Sequence, residues 1–118
     1  MILKRWSIYR ANLEPTVGSE QGKSRPVLVI SEDEINNLLN IVNVIPITSR
    51  KLERRIYPNE VLISADSYGL TNESIILCHQ IRTLDKQRLS YYYGEIIDID
   101  KQVEVIDALC FQLGINRN

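Results

Sequence analysis

The stretch NLEPTVGSEQGKSRPVLVIS, residues 12–31, decides the fold of this chain. A polar loop with two glycines runs directly into Arg25 and Pro26, and the apolar run 27–30 follows. Such a continuous apolar, largely β-branched run is typical of a strand that is covered on both faces. The sequence therefore predicts a buried strand with one permanently charged guanidinium at its N-terminal end. The preceding loop is rich in backbone N–H groups and small polar side chains, which suits it to holding an anion such as phosphate.

Length and composition predict one globular domain, residues 1–118, since 44% of the 118 residues are hydrophobic and 25% are charged. No apolar run approaches the roughly 20 residues that a membrane helix needs. The start MILKRWSIYR lacks the features of a signal peptide, so we expect a cytoplasmic protein. Cys78 and Cys110 show neither CxxC spacing nor clustered histidines, which favours two reduced, buried thiols over a disulfide or a zinc site.

The net charge of −1, from 14 basic and 15 acidic residues, by itself argues against a nucleic-acid-binding protein. The charges are nevertheless segregated along the chain. Basic residues crowd 50–55 and 82–88, whereas acidic residues crowd 32–34 and 95–107. A local positive face on a nearly neutral protein binds a short polyanion while limiting indiscriminate binding.

Short strands dominate the predicted secondary structure. The strands are expected at 7–13, 26–30, 41–48, 61–65, 74–81 and 91–97. Ser31 to Glu34 has the pattern of a capping box, so a short helix should follow it to about Asn40. Pro46 favours an edge strand or a bulge. A helical turn is expected at 85–90, and a last helix from Asp100 to Gly114 should bury Val103, Ile106, Leu109, Cys110 and Leu113.

These elements predict an α+β, mainly β fold. Many short strands with few helices in a chain of this size indicate a compact barrel or a half-open sheet. One short helix should follow the second strand, and the other should lie at the C-terminus.

Three blocks of the sequence resemble the MazF/PemK family of ribosome-independent endoribonuclease toxins. The segment 12–31 resembles the family's first motif, VIPITS at 44–49 its second, and LCHQIRTLDKQRL at 77–89 its third. Their order and spacing also fit, and three ordered blocks are far more specific than one. The resemblance implies an SH3-like barrel of the MazF/CcdB type that forms a homodimer and cuts single-stranded RNA. It also implies a cognate antitoxin with an acidic, partly disordered C-terminal segment that lies across the basic cleft.

Cleavage of RNA by its own 2′-OH requires stabilisation of a phosphorane and proton donation to the 5′-oxygen. The sequence has no convincing cluster of carboxylates or imidazoles for a metal, so no cofactor is expected. The resemblance implies metal-independent cleavage that gives a 2′,3′-cyclic phosphate and a 5′-OH.

Arg25 is the leading catalytic candidate, since its forked donors suit the phosphorane oxygens and it could also protonate the leaving group. An arbitrary arginine at this position would instead form a surface pair with Glu14 or Glu20. The resemblance places Thr48 beside Arg25 at the scissile phosphate, although a Thr-Ser pair at a strand end is usually a turn or cap.

Side chains for binding RNA come from the loop and from the third block. Residues 19–21 and Gln80 offer donors and acceptors to unstacked base edges. Arg82 and Arg88 suit flanking phosphates, or are simply solvated charges. The whole predicted RNA-binding set is Ser19, Glu20, Gln21, Gly22, Lys23, Ser49, Gln80, Arg82 and Arg88. The basic loop 50–55 is expected to be partly mobile and to close over RNA or antitoxin.

The group that accepts the 2′-OH proton stays open. His79 is the residue type commonly used as a base, but strand alternation places it with Ile81 on the face opposite Gln80 and Arg82. A structural role is therefore favoured for His79. For the tyrosines 91–93, alternation should bury one face and expose the other, and packing in the core or dimer is favoured over stacking on RNA bases.

One departure from the family pattern concerns the N-terminus. Many members carry Arg-Gly-Asp before Ile-Tyr, whereas this chain reads Arg5-Trp6-Ser7. A carboxylate there could hold the catalytic arginine or a loop, and Trp6 is expected at the barrel edge or the dimer seam. This departure keeps open a weakened toxin that mainly binds antitoxin, and the shared scaffold keeps open a non-catalytic CcdB-like gyrase poison. Arg25 with Thr48 and Ser49 favours the nuclease, because a gyrase poison needs no such pair.

Overall fold

The computed structural model describes residues 2–116, and within them the chain forms seven strands and two α-helices. These are β1 (Ser7–Asn12), β2 (Ser24–Val29), α1 (Asp33–Leu38), β3 (Ile41–Ser49), β4 (Glu60–Ile63), β5 (Ser74–Leu77), β6 (Arg82–Asp85), β7 (Leu89–Glu95) and α2 (Ile99–Leu113). All strand pairs are antiparallel. The strand order is β4-β5-β3-β2-β1-β7, and β6 also pairs with β3. The α+β, mainly β class and the places of both helices are thus confirmed.

Strand β2 is buried on both faces, as its apolar run predicts. Val27, Leu28 and Val29 have no exposed surface. Leu28 packs in the cluster that includes Val105 and Ala108 of α2, whereas its two neighbours pack in a second cluster on the other face. Because both faces are covered, the strand needs no polar position, and the sequence shows no alternation.

Strand β3 lies in the middle of the sheet, so the edge or bulge predicted from Pro46 is wrong. One side of β3 pairs with β2, where Pro46 is opposite Val27. The other side pairs with β6 over residues 41–44 and with β5 over residues 47–49. Pro46 lies in the gap between these two partners, where its missing N–H interrupts no ladder on that side. The proline therefore marks a change of partner.

Two glycines allow the curled sheet to close on itself. A Cβ at Gly69 would lie 1.9 Å from the Tyr93 carbonyl oxygen, and one at Gly94 would lie 2.4 Å from the Tyr68 carbonyl oxygen. Gly69 also has a φ of +82°, a conformation that glycine adopts without strain. Segment 66–70, which follows β4, therefore lies directly on β7. The half-open barrel closes here by backbone packing and not by pairing of β4 with β7.

The predicted capping box at Ser31 does not form. Glu32 is the N-cap of α1 and its side chain makes no capping hydrogen bond. The Ser31 hydroxyl instead donates to the side-chain oxygen of Asn36 and accepts from the Asn43 N–H at 3.0 Å. Asn36 is fully buried, and a buried amide must be hydrogen-bonded. Ser31 thus ties α1 to β3 instead of capping the helix, which ends at Leu38 and not near Asn40.

Helix α2 ends at Gly114 as predicted, with the left-handed φ of +69° typical of a C-terminal cap. Of the predicted buried face, Ile106 and Leu109 do pack against the core, but the face is shifted. Val105 and Ala108 are buried, whereas Val103 and Leu113 are 43% and 51% exposed. The helix packs on β4 and on the turn at 78–80 through a narrow stripe, so the flanking apolar positions stay at the surface. None of the helices within residues 2–116 is long and apolar enough to span a membrane.

Both cysteines are free thiols. Cys78 is fully buried behind α2, and burial, with a smaller effect from nearby Glu60, raises the pKa of its thiol to about 12. Cys110 is only partly buried, which corrects the expectation of two buried thiols. It lies on the flank of α2, outside the stripe that contacts the sheet.

Trp6 occupies a backbone position that suits glycine. Its φ is +75°, and its backbone is fixed on both sides, by a hydrogen bond from its N–H to the Val29 carbonyl at 2.7 Å and another from the Ile96 N–H to its own carbonyl at 2.9 Å. The half-buried indole packs on the α2 side of the core, with the Arg5 guanidinium 5.1 Å from its ring. The chain thus adopts a left-handed conformation at residue 6 although it carries no glycine there.

Candidate active site

Arg25 and Thr48 come together at one end of the sheet. Arg25 lies in β2 and Thr48 near the end of β3. In the register of β2 and β3, Val27 is opposite Pro46. Two residues further along, Arg25 is opposite Thr48, and both side chains lie on the same face of the sheet. The Arg25 Nη1 donates to the Thr48 Oγ1 at 3.2 Å. The juxtaposition on which the sequence-based hypothesis depends is therefore present.

Arg25 is held by neutral groups only. Its Nε donates to the Gly22 carbonyl at 2.8 Å. The Gln21 side-chain oxygen, in the amide orientation that satisfies both of its polar atoms, lies 2.6 Å from Nε and 2.9 Å from Nη2. Within residues 2–116 no carboxylate pairs with Arg25. The alternative pairs with Glu14 and Glu20 do not form, because those carboxylates bind groups within the loop. The guanidinium charge is therefore not neutralised.

An open cavity of about 310 Å³, the first cavity, lies in front of this pair. Besides Arg25, Thr48 and Ser49, its wall includes Arg10 and Tyr93. The Arg10 Nη1 donates to the Tyr93 hydroxyl at 2.8 Å. Sequence reasoning did not place Arg10 at the site, because nothing local to the sequence indicates that β1 pairs with both β2 and β7. That pairing brings Arg10 beside the mouth of β2.

Two further cavities continue from the first. The second cavity, of about 340 Å³, is lined by Ser19, Gln21, Thr48, Ser49, Lys51, Arg54, Leu77, His79 and Gln80. The third cavity, of about 360 Å³, is lined by Glu20, His79, Gln80, Ile81, Arg82 and Thr83. The first and second share Thr48 and Ser49, and the second and third share His79 and Gln80. We call the three together the groove. Within the described chain, no carboxylate lines the first two cavities, so an anionic chain can follow them without repulsion.

Gln80 holds the loop that forms one wall of the groove. Its side-chain oxygen accepts from the Gln21 N–H at 3.1 Å, and its amide nitrogen donates to the Ser19 carbonyl at 3.2 Å. These bonds fix the loop and leave the side chain one N–H and one lone pair for a ligand. The predicted contacts of Ser19, Gln21 and Gln80 with RNA bases stay predictions, but all three line the second cavity.

The predicted strand 74–81 is interrupted, and this changes the position of His79. Strand β5 ends at Leu77, and residues 78–80 form a short 3-10 helix. In such a helix successive side chains do not alternate between two faces. His79 is exposed and lines the groove together with Gln80. The prediction that His79 lies on the face opposite Gln80 and Arg82 is therefore wrong, and the objection to a functional role for His79 is removed.

Gly22 and Lys23 shape the loop around the Glu14 carboxylate. A Cβ at Gly22 would lie 2.8 Å from both Glu14 Oε2 and Thr16 Oγ1. Lys23 is exposed with a φ of +66°, and its N–H donates to Glu14 Oε2 at 3.3 Å. These contacts fix the loop in the conformation in which the Gly22 carbonyl accepts the hydrogen bond from Arg25. Neither residue lines the groove, and their predicted contacts with RNA stay predictions.

Arg82 and Arg88 bind the base of the same loop. Arg82 Nη1 donates to the Leu13 carbonyl at 3.3 Å, and Arg82 lines the third cavity beside Glu20. Arg88 donates to the carbonyls of Asn12 and Glu14. Arg88 lines none of the three cavities. Both arginines thus hold the loop in place, and their predicted contacts with flanking phosphates stay predictions.

The basic loop after β3 is anchored by two ion pairs. Arg50 pairs with Glu73 at 3.1 Å and also donates to the Arg54 carbonyl at 2.9 Å. Arg54 binds both carboxylate oxygens of Glu60, at 3.0 and 2.6 Å. The Glu60 side chain is only 2% exposed. The hydrogen bond from Arg54 is the main reason that the pKa of Glu60 is lowered, with help from the Tyr57 N–H, and it also raises the pKa of Arg54. The expected closing motion of this loop stays a prediction.

The tyrosines of β7 are less buried than alternation predicts. Tyr91 and Tyr92 are 61% and 52% exposed, because β7 is an edge strand whose neighbour is β1. Tyr92 packs edge-on against Tyr9, and Tyr91 packs edge-on against Tyr93. Only Tyr93 both packs on the core and lines the first cavity. The preference for core or dimer packing over stacking on RNA stays a prediction.

The departure at Ser7 lies away from Arg25. In the β1–β2 register Arg25 is opposite Ala11, which is four residues, roughly 13 Å, along the strand from Ser7. Ser7 itself is buried and pairs with Glu95 of β7. Gly22, Gln21 and Thr48 hold Arg25 instead, so this site does not need a carboxylate at residue 7.

Comparisons with known proteins agree with this geometry. Residues 4–113 match the family described as the PemK-like, MazF-like toxin of type II toxin–antitoxin systems. The chain is 46% identical over 117 residues to Endoribonuclease EndoA of Bacillus subtilis (strain 168), covering 98% of this chain and 97% of that protein. MazF from Deinococcus radiodurans has a similar structure, with a TM-score of 0.81 at 30% identity, covering 97% of this chain and 98% of that one.

A mycobacterial endoribonuclease, solved in complex with its cognate antitoxin, is also similar. Its TM-score is 0.78 at 25% identity, covering 98% of this chain and 99% of that one. The family match spans β1 to α2 and includes Arg25 and Thr48. This chain therefore belongs to the PemK-like, MazF-like toxin family of type II toxin–antitoxin systems.

Proposed function

We propose that this chain is a toxin that cuts single-stranded RNA at a short sequence, as a metal-independent endoribonuclease in the cytoplasm. The observation that carries the proposal is Arg25. It is a half-buried guanidinium with no carboxylate partner among residues 2–116, hydrogen-bonded to the Thr48 hydroxyl and open to the first cavity. Leaving such a charge unpaired is costly unless an anion binds there. The name and 46% identity of EndoA make an RNA phosphodiester the natural anion.

The reaction is the one that the family resemblance implies, and the donors at the site suit it. The 2′-oxygen attacks the adjacent phosphorus as its proton leaves, the P–O5′ bond breaks, and the 5′-oxygen takes up a proton. The products are a 2′,3′-cyclic phosphate and a 5′-OH. Arg25 binds the non-bridging oxygens, whose charge grows in the transition state. Thr48 Oγ1 accepts from Arg25, so its own hydrogen is available to the same oxygens.

The groove accounts for a polymeric substrate. A scissile phosphate at Arg25 and Thr48 would lie where the first and second cavities meet. Nucleotides on one side then occupy the first cavity, and those on the other side pass the loop 19–21 and Gln80. Unstacked bases expose their edges to such side chains only when the RNA is single-stranded. We infer that the loop and Gln80 select the sequence that is cut.

An antitoxin controls this activity. The mycobacterial relative was solved with its cognate antitoxin, and the carboxylate-free lining of the first two cavities favours an acidic partner segment in the place of RNA. We further propose that residues 1–118 form one toxin domain and that it acts as a homodimer. The gyrase-poison alternative gains no support, because binding without catalysis gives no reason for the Arg25–Thr48 pair.

The decisive experiment is cleavage of a long RNA by the purified protein in EDTA, followed by mapping of the ends. Cuts at one short sequence with cyclic phosphate ends are expected. Within residues 2–116 no group of three or more His, Cys, Asp or Glu side chains is arranged to hold a metal ion. Cleavage that stops in EDTA and returns with magnesium would contradict the metal-independent mechanism. Absence of any cleavage, in a protein that still binds antitoxin, would leave the weakened toxin as the answer.

A further inference from the structure

The second cavity contains basic groups that the reaction at Arg25 does not use. Lys51, Arg54 and His79 line it, next to the wall formed by Thr48 and Ser49. An RNA chain held at Arg25 and Thr48 must continue past this wall, since a phosphodiester has a nucleotide on each side. The next phosphate along the chain would therefore come close to these three side chains.

Arg54 has one edge of its guanidinium free. Its Nη1 and Nη2 face the two oxygens of Glu60 end-on, and Nη1 also donates to the Arg55 carbonyl at 2.8 Å. Of the five guanidinium hydrogens, the one on Nε and the second one on Nη2 have no acceptor within the described chain. These two hydrogens form the side edge of the fork, which matches two oxygens of a phosphate.

Glu60 fixes the direction of that free edge. Its side chain is 2% exposed and is absent from the lining of the second cavity, whereas Arg54 lines that cavity and is 37% exposed. Because the carboxylate binds Arg54 from the core side, the unused edge is the part of the guanidinium that is left for a ligand in the cavity. The Tyr57 N–H, 3.0 Å from Glu60 Oε1, holds the carboxylate in turn. A guanidinium fixed in this way loses little side-chain entropy when it binds an anion.

We propose that the second cavity is a phosphate subsite for the nucleotide next to the cleavage point. Arg54 is its main ligand, Lys51 and His79 are its further ligands, and Glu60 is the positioning residue. This inference rests on the proposed function, because it places the subsite relative to a cut at Arg25. It assigns to the Arg54–Glu60 pair a role in RNA binding in addition to its role in anchoring the loop.

The test uses a short RNA that contains the mapped cleavage sequence, with a 2′-deoxy nucleotide at the attacking position to prevent cutting. In a series of such RNAs, one phosphate at a time is replaced by a neutral methylphosphonate, and binding is measured by fluorescence anisotropy. For the wild type, one position next to the scissile phosphate should lose about 10-fold in affinity, as expected for one charged, bidentate contact. For Arg54→Gln, the unmodified RNA should bind about 10-fold more weakly, and the methylphosphonate at that position should have only a small further effect, from the contacts of Lys51 and His79 that remain.

Arg55→Gln is the matched control. Arg55 is exposed, lies 5.3 Å from the ring of Tyr57, and lines none of the three cavities. This variant should keep wild-type affinity within about twofold and keep the full methylphosphonate effect. Glu60→Gln should reduce that effect although Arg54 is still present, and its folding is checked by thermal unfolding.

The result that overturns the subsite is an Arg54→Gln variant that binds like the wild type, or one in which the methylphosphonate effect is as large as in the wild type. Arg54→Lys keeps the charge but not the fork, so it should recover part of the affinity and a matching part of the position-specific effect. The proposed function fails differently. If the wild type cuts no RNA, the endoribonuclease is rejected, whereas cleavage with no role for Arg54 rejects only the subsite.

Discussion

The guanidinium of Arg25 donates to the hydroxyl of Thr48 across two neighbouring strands, at 3.2 Å. The antiparallel register of β2 and β3 sets this distance, so the backbone positions the pair and no flexible loop intervenes. The hydroxyl acts here as an acceptor, and its hydrogen stays free. The two side chains therefore present donors to the same point in the first cavity without competing for one another.

Removal of either donor should slow the chemical step. Thr48→Val keeps the shape but loses the hydroxyl, and we expect kcat to fall about 100-fold, as for loss of one donor to a transition-state oxyanion. Thr48→Ser should restore most of it. Arg25→Lys keeps the charge without the fork and should lose about 100-fold or more. Single-turnover cleavage of a defined RNA measures these rates, and a Thr48→Val variant with wild-type kcat would contradict the assignment.

His79 should act on binding and not on the chemical step. Because it lines the second and third cavities, His79→Ala should raise KM about 5-fold and leave kcat within about twofold, the pattern of a uniform binding contact. His79→Gln keeps a donor and should behave closer to the wild type. If His79→Ala instead folds normally but cleaves about 100-fold more slowly at saturating RNA, His79 is the base that accepts the 2′-OH proton.

At residue 6, a glycine substitution should leave the protein more stable than an alanine substitution, which is the reverse of the usual order in a strand. In an ordinary strand Gly is less stable than Ala by roughly 0.5–1 kcal/mol, but at a φ of +75° Ala is strained. We therefore expect Trp6→Gly to be more stable than Trp6→Ala by about 1 kcal/mol, although both lose the packing of the indole. Urea unfolding at one protein concentration measures the difference. An alanine variant as stable as the glycine variant would show that the backbone relaxes there.

The Arg54–Glu60 pair should stabilise the fold in a pH-dependent way. The pKa of Glu60 is lowered from 4.5, first by its hydrogen bond from Arg54, so the stabilisation is complete above pH 4.5 and declines as the pH falls through the lower, folded-state value. At pH 7 Glu60→Gln should lose about 2 kcal/mol in free energy of unfolding. Urea unfolding at pH 7 and pH 3.5 should show a smaller gap between the two proteins at the lower pH.

Glu73→Gln provides the control for this measurement. Glu73 pairs with Arg50, but its side chain is 45% exposed, so this substitution should cost less than about 1 kcal/mol. A gap between wild type and Glu60→Gln that is independent of pH would show that loss of packing, and not loss of the ion pair, destabilises the variant.

The sequence predicted those features that depend on residues close in the chain. The apolar run of β2, the turn at 86–88 and the end of α2 at Gly114 each have a local cause, and each is found. The pairing of Arg25 with Thr48 was predicted from the resemblance to the MazF/PemK motifs and not from local pattern, and the register of β2 and β3 brings the two side chains together.

The errors arose where the fold gave a residue a partner or a backbone conformation that the local pattern does not indicate. Ser31 matches a capping box, but the buried Asn36 binds its hydroxyl. Pro46 matches an edge strand, but two different partners leave a gap for it in a central strand. Alternation failed at His79 because the chain turns there into a 3-10 helix. The free edge of the Arg54 guanidinium could not be predicted either, because it depends on the burial of Glu60, and no short sequence pattern indicates that burial.

The wall formed by Thr48 and Ser49 borders two cavities at once, and this has a consequence for inhibition. A peptide that fills only the cavity with Lys51 and Arg54 already blocks the path along which RNA must run to reach the cleavage point. A neutralising partner therefore does not need to touch Arg25. RNA cleavage can therefore be inhibited at a cavity next to the catalytic pair, by segments of unrelated sequence that need only be acidic and long enough to fill that cavity.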